Sequence, residues 1–239
     1  MLLNLLSHVD TNKFSILVFS LHGKGEISNE IEKLEIPVIN FYFFKRINFV
    51  FNFLKLSLEI SKERPDIVQT WMYHSNLIGG LASKLFSSAK IIWSIHATTL
   101  NPDLTKKSTK IVIWLSSIFS RFIPNNTIYC SHVSYNFHKS LGFNSKKNKV
   151  IPNGIDLDLY NSNNLAKLNL IKQLKLKNEV KFIGMVGRYS PMKRHDVFIN
   201  AAHILNKKYP STHFVLCGSN INKSNNKIVT LINSYGLNS

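Results

Sequence analysis

Gly184-Met185-Val186-Gly187-Arg188-Tyr189-Ser190-Pro191-Met192-Lys193-Arg194-His195-Asp196 decides the fold of this 239-residue chain. The apolar run 180–186 that leads into it reads as a buried strand. The run stops at a glycine, Arg188, Lys193 and Arg194 follow, and from Asp196 onward the pattern turns helical. A strand that ends in a basic loop and feeds a helix gathers backbone N–H groups and cations at the carboxyl end of a parallel strand, where open α/β sheets bind their ligands. The implied ligand is an anion, with phosphate the first candidate.

Upstream, apolar runs at 14–21, 37–41, 67–70, 90–95, 127–130 and 149–151 read as strands. Between them lie helical patterns at 26–34, 46–62, 109–122 and 132–141 and a helix that Ser75 could cap, in which Gly79, Gly80, Ala82 and Ser83 permit close packing. Residues 1–6 read as the last turns of a helix, and 101–107 as a polar loop. In helix 46–62, Ile47, Val50, Phe51, Leu54 and Leu58 form one apolar stripe, which Phe49, Phe53, Leu56 and Ile60 widen. Pro152-Asn153-Gly154, followed by the polar run 161–164, reads as a boundary between domains 1–156 and 157–239. Beyond it come a helix to about residue 177, the opening strand, a helix at 195–208, a strand at 213–217 that turns at Gly218, and a helix at 226–235. Strands alternating with helices imply βαβ units and parallel sheets, hence an α/β fold in two units.

A hydrophobic content of 44% is ample for a core, and 30 Lys and Arg against 13 Asp and Glu give a formal charge of +17. Such an excess attracts polyanions: nucleic acid, an anionic membrane face or phosphorylated substrates. The basic residues are dispersed and form no recognised nucleic-acid motif. The aromatic stretch 41–53, with Lys45 and Arg46, reads as a helix packed on a sheet or as a segment touching a membrane surface. Cys130 and Cys217, far apart in apolar runs, read as core thiols of a reducing compartment. No stretch approaches the roughly 20 apolar residues of a membrane span. The expected location is cytoplasmic, at most peripheral to the inner face of a membrane.

Residues 64–68, 90–96, Val150-Ile151-Pro152-Asn153-Gly154-Ile155-Asp156, Val186-Gly187-Arg188 with Lys193-Arg194-His195-Asp196, and 214–218 together resemble the retaining GT-B glycosyltransferases of the fourth sequence family. The resemblance implies a hexosyltransferase-type enzyme with a cleft between two Rossmann-like domains, acceptor on the first and nucleotide sugar on the second. It implies that Arg188 and Lys193 hold the donor diphosphate, that His96 sits beside the transferred sugar, and that Gly187 and Gly218 let backbone approach the donor. It further implies no metal and no cofactor beyond a UDP- or GDP-linked sugar as substrate, and a saccharide or lipid-linked acceptor in polysaccharide synthesis.

Two departures bear on activity. The family begins with a strand and a glycine-rich loop, whereas Met1 enters a helix; it ends with a carboxylate-bearing segment, and Ser239 stops before that place. Both domains are therefore expected to be incomplete and the chain to be a fragment. Apart from the motif, Arg188 and Lys193 read as a solvated basic loop, His96 as a polar strand end, and Tyr73 and His74 as strand-end residues that could meet an acceptor. Asn153-Gly154 reads as hinge geometry and His195 as a helix-start residue. The alternatives are an inactive remnant and a basic polyanion- or nucleic-acid-binding protein.

Overall fold

The computed structural model describes residues 1–44, 49–100, 103, 105–158, 160, 164–176 and 180–237. The chain divides into two compact units, Met1–Asp156 and Leu157–Ser239.

The first unit runs α1 (Leu2–Leu6), β1 (Val18–Ser20), α2 (Glu26–Glu32), β2 (Val38–Asn40), α3 (Phe49–Glu63), β3 (Ile67–Trp71), α4 (Met72–Phe86), β4 (Lys90–Ile95), α5 (Lys107–Phe119), β5 (Asn126–Tyr129), α6 (His132–Ser140) and β6 (Asn148–Val150). β1 and β2 form a two-stranded parallel sheet, and β3, β4, β5 and β6 a four-stranded one in sequence order, parallel throughout. Each step between parallel neighbours needs a crossover, and a helix supplies it. The strand expected over 14–21 shrinks to Val18–Ser20, because β2 offers it only three partners. Of helix 46–62, residues 46–48 lie outside the described residues, as do Lys45 and part of loop 101–107.

Trp93 of β4, 0% exposed, anchors the larger core with Tyr73, Ile91, Ile95, Ile113, Ile123, Tyr129 and Phe143. α4 reaches this sheet through Gly80. A Cβ there would stand 2.7 Å from Trp93 Nε1 and 2.9 Å from Ile123 Cγ2, so the helix lies against the indole only because that position has no side chain. A second cluster, Leu21, Phe41, Phe43, Leu56, Ile60 and Ala82, joins the two-stranded sheet to α3 and α4. α3 turns its Leu56, Ser57 and Ile60 side inward and leaves Val50, Phe51, Leu54 and Leu58 exposed. The stripe that looked primary in sequence is thus the outer one, because a helix apolar over most of its circumference does not announce which side meets the sheet.

Ser75 does not cap α4. β3 passes into α4 without a loop: Trp71 is the N-cap, Met72 takes a positive φ of 70°, and Tyr73, His74 and Ser75 are already helical. Asn76, fully buried, pins this corner. Its side chain lies 2.7 Å from Thr70 Oγ1, and with the amide nitrogen turned inward it donates to the Met72 and Thr70 carbonyls at 3.1 and 3.2 Å.

Tyr73 is a core residue, 3% exposed, and its hydroxyl meets His138 Nε2 at 2.7 Å. His138 Nδ1 donates to the Ser134 carbonyl at 2.7 Å, which in the neutral ring leaves Nε2 to accept from the tyrosine. Burial holds the imidazole below the ordinary histidine range, against the pull of the Ser134 bond, and burial with Cys130 nearby pushes Tyr73 up to about 12. The unfolded chain therefore binds a proton at His138 more readily than the folded one, and the stability this ring contributes is present above about pH 6.5 and falls as pH drops through that value. Denaturation midpoints of the first unit are expected to fall between about pH 7 and pH 5. His138→Gln should flatten the slope, in part only, because His74 and His96 are shifted the same way.

The second unit comprises α7 (Asn164–Gln173), β7 (Lys181–Val186), a 3₁₀ turn at Pro191–Lys193, α8 (His195–Lys208), β8 (Thr212–Cys217) and α9 (Asn226–Ser234). Residues 161–163, part of the expected boundary run, and 177 lie outside the described residues. β7 and β8 pair in parallel from Lys181↔Thr212 to Val186↔Cys217, over a small core that includes Ile171, Val180, Ile199, Ala202 and Ile228. β7 is not the buried strand its composition implied. Val186 is 82% exposed and Ile183 40%, because β8 is its one partner strand among the described residues. Cys217 is likewise exposed, and Cys130 half-buried, so neither is a core thiol.

Candidate functional site

The loop after β7 combines two short elements whose ends meet. Gly187 N donates to Cys217 O at 2.8 Å and Tyr189 N to Ser219 O at 2.8 Å, which ties the carboxyl ends of β7 and β8 together. Gly218 makes this approach possible. At φ 150° a Cβ would land on the Gly187 carbonyl and 3.0 Å from Arg188 N. Gly187 in turn lies under the stem of Lys193, whose Cδ would be 3.6 Å from a Cβ there. The structure thus brings Gly187, Arg188, Lys193 and Gly218 together at one end of the second unit.

The three cations of the loop are not equivalent. Arg194 takes a left-handed conformation (φ 52°) as the N-cap of α8, and its guanidinium is closed on Asp196 in the first helical turn, with Nη2 to Oδ2 at 2.8 Å and Nε to Oδ1 at 3.0 Å. Hydrogen bonding to Arg194 holds the Asp196 carboxyl below the usual range. Arg188 and Lys193 are exposed and form no ion pair among the described residues. Two cations therefore remain available beside the start of a 14-residue helix, whose dipole adds positive potential at this end.

His195 is the first residue of α8, in keeping with its helix-start reading, and it is also buried. It is 3% exposed, both ring nitrogens lack a partner, and its ring lies 5.5 Å from that of Tyr189. Placing a methyl group at Gly218 is expected to push the Gly187–Arg188 backbone away; Gly218→Ala should weaken anion binding severalfold and lower the stability of the second unit by about 1–3 kcal/mol. Nucleotide titration and denaturant melts of that variant check this.

In the first unit, His96 follows β4 at its carboxyl end. Its ring stacks on Trp71, 4.5 Å between centroids and 5° from parallel, and Nδ1 meets Asn153 Oδ1 at 3.0 Å. The amide oxygen accepts, so Nδ1 carries the proton and Nε2 holds a free lone pair. Partial burial holds the ring below the ordinary histidine range, against the Asn153 bond, and keeps it neutral near pH 7. Ser134 Oγ fixes the next residue by donating to the Ala97 carbonyl at 2.6 Å, and Asn4 Nδ2 donates to Gly154 O at 3.2 Å beside Asn153.

Asn153, read as hinge geometry, and Trp71 are the two residues that hold His96, and sequence reading assigned neither a part in the site. Trp71 had one signal, its place at the end of a strand. That β3 pairs with β4, setting Trp71 opposite Ser94, is a matter of sheet order. Tyr73 faces the core and not a ligand, while His74 is half-buried and touches Phe44 edge to face at 5.5 Å.

A groove of about 900 Å³ lies at the opposite end of the second unit, between α7, the tail of α8 and the amino ends of β7 and β8. It is far along the strands from the basic loop, and no role is assigned to it. Among the described residues no group of three His, Cys, Asp or Glu is placed to hold a metal ion.

Two α/β units, each built on parallel sheets, are the fold of a GT-B glycosyltransferase, and solved structures share it. The crystal structure of Anabaena Alr3699/HepE in complex with UDP-glucose matches 93% of this chain with a TM-score of 0.74 at 20% identity, and its complex with UDP matches 98% with 0.77. A glycosyltransferase from Rickettsia africae ESF-5 matches 95% with 0.69 at 22% identity. At these identities the likeness concerns the fold. The chain belongs to glycosyltransferase family 4: the model described as Glycosyltransferase Family 4 matches residues 1–159, and that described as Glycosyl transferases group 1 matches 166–239. A curated relative, the UDP-Gal:alpha-D-GlcNAc-diphosphoundecaprenol alpha-1,3-galactosyltransferase of Escherichia coli, is 29% identical over 167 residues, 66% of this chain. The chain spans 42% of the length of that relative and 59% of that of HepE in its UDP-glucose complex.

Proposed function

We propose that this protein, or the longer protein it represents, transfers a hexose from a nucleotide diphosphate donor, UDP-linked by analogy with its relatives, to a saccharide or lipid-linked acceptor, with retention at the anomeric carbon. The observation that carries this reading is the division of labour in the basic loop. Arg194 is neutralised by Asp196, while Arg188 and Lys193 form no ion pair among the described residues and lie beside a helix start. In the reaction the bond from the sugar's anomeric carbon to the diphosphate oxygen breaks and a bond to an acceptor oxygen forms. Negative charge grows on the departing diphosphate, and two fixed cations stabilise that charge more as it develops.

His96 is assigned to the transferred sugar. Locked with Nδ1 toward Asn153, it offers Nε2 as an acceptor for a sugar hydroxyl, and its neutral state fits that role. Asn153 and Trp71 position it. The two domains are assigned as acceptor-side (1–156) and donor-side (157–239). The curated relative's name includes a diphosphoundecaprenol-linked acceptor, which supports a lipid-linked acceptor here.

Calorimetric titration with UDP and GDP tests the donor half of the reading. Saturable UDP binding, with no salt-sensitive shift of single- or double-stranded nucleic acid at submicromolar protein, supports it. Nucleic-acid binding without nucleotide diphosphate binding would move the protein to the polyanion-binding class.

A further inference from the structure

We propose that the outward faces of α3, α4 and α5 form one surface that lies on an anionic lipid bilayer. α3 packs beside α4 and α4 beside α5. On α3, Val50, Leu54 and Leu58 recur every four residues along the side away from the core, with Val50 69% and Leu58 66% exposed. On α4, Leu81 and Leu85 occupy the outer side while Gly79, Gly80 and Ser83 face in.

α5 is the most telling of the three. Its inward side carries Ser116 and Ser117 beside Ile113, and the two hydroxyls are closed on the helix's own carbonyls at 2.7 and 2.8 Å. Its large apolar side chains Ile111, Trp114 (61% exposed) and Ile118 point to solvent. A helix that buries serines and exposes a tryptophan is arranged for an apolar medium on its outer side.

Charge selects the occupant. Lys107 and Lys110 stand in the first turn of α5, where a cation opposes the helix dipole, so they do not serve the helix. Arg121 follows its end and Lys84 lies on α4, and no ion pair involves any of the four among the described residues. α4 and α5 contain no carboxylate, and from Asp66 to Asp156 the intervening sequence holds Asp103 alone against ten lysines and arginines. Apolar side chains with a tryptophan, rimmed by unpaired cations, complement the headgroup layer of an anionic bilayer. A second copy of a chain carrying +17 would be repelled by the same cations. Among the described residues no helix is long and apolar enough to span, so the contact is interfacial. The described part of the aromatic stretch 41–53 divides accordingly: Phe41 and Phe43 are buried, whereas Phe44, Phe49 and Phe51 are exposed.

The test is co-sedimentation of the full chain with vesicles of equal parts phosphatidylglycerol and phosphatidylcholine, and with phosphatidylcholine alone, at low and high salt. Binding is expected to the anionic vesicles, with a blue shift of tryptophan emission as Trp114 leaves water. Each cation near such a surface adds about fivefold in affinity, so Lys107→Glu with Lys110→Glu should lower it well over tenfold. Trp114→Ser should remove the blue shift and weaken binding about tenfold or more, with unchanged circular dichroism. Failure to bind either vesicle overturns the proposal. So does salt-sensitive binding that Trp114→Ser leaves intact, which would mean attraction by net charge alone, or self-association that Trp114→Ser abolishes, which would give the face to a second copy. None of these readouts involves nucleotide, so the outcome is independent of the donor site.

Discussion

Alanine at Arg188 or at Lys193 is expected to weaken UDP binding by about 10- to 100-fold each, whereas alanine at Arg194 should change it by less than about threefold. Charge-assisted hydrogen bonds to phosphate contribute about 1.5–3 kcal/mol each, and among the described residues neither Arg188 nor Lys193 has an acidic partner that would have to be given up on binding. Arg194 is already held in a two-point contact with Asp196. A loop that merely raised the local potential would treat the three cations alike, so unequal losses separate fixed contacts from a diffuse field. The losses from Arg188 and Lys193 are not expected to add, since both act on one diphosphate. In an assay of transfer the turnover should fall further than the affinity, because charge on the diphosphate is greatest at the transition state. Calorimetry at constant ionic strength gives the affinities. Unchanged affinity in both single variants would sink the site.

Trp93→Ala is expected to destabilise the first unit by about 3–5 kcal/mol, a large share of what a domain of this size has to lose. The side chain is completely buried between the sheet and α4, and the absence of a side chain at Gly80 has already let that helix close on it. The void left by alanine in a close-packed core is filled only in part by relaxation. Trp93→Phe should cost much less. It keeps most of the volume and removes an indole N–H that is buried without a partner, so part of the lost contact is offset. Trp71, Trp93 and Trp114 all belong to the first unit. Tryptophan fluorescence during urea denaturation therefore follows that unit alone, and an alanine variant with an unmoved midpoint would refute the central place given to Trp93.

Local pattern was legible where one physical requirement dominated. The run 91–95 is apolar but for Ser94 because β4 has strands on both sides, and Lys90–Ile95 is the observed strand. The helix 195–208 buries Ile199 and Ala202 three positions apart, ends in Lys207 and Lys208, and matches α8. The reading failed where two requirements gave the same residues. α3 is apolar on its inner and outer sides for different reasons, and periodicity alone could not rank them. Ser75 is a good capping residue in a place where the backbone had already turned, at Met72.

The site divides along the same line. Basic residues, a glycine and a strand-to-helix change within thirteen positions are enough to name an anion loop, since its groups are neighbours in the chain and local geometry places them. Which cations stay free depends on where Arg194 points, and that follows from its left-handed turn and the reach of Asp196. The partners of His96 come from β3 and from the segment after β6, 25 and 57 positions away. Sequence determined the α/β class and the family and marked the basic loop as a candidate anion site, because those rest on contiguous patterns. The neutral tautomer of His96, the dependence of the loop on Gly218 and the outward apolar face of α3, α4 and α5 were decided by tertiary structure, because each arises from which distant segments the sheets and helices bring side by side.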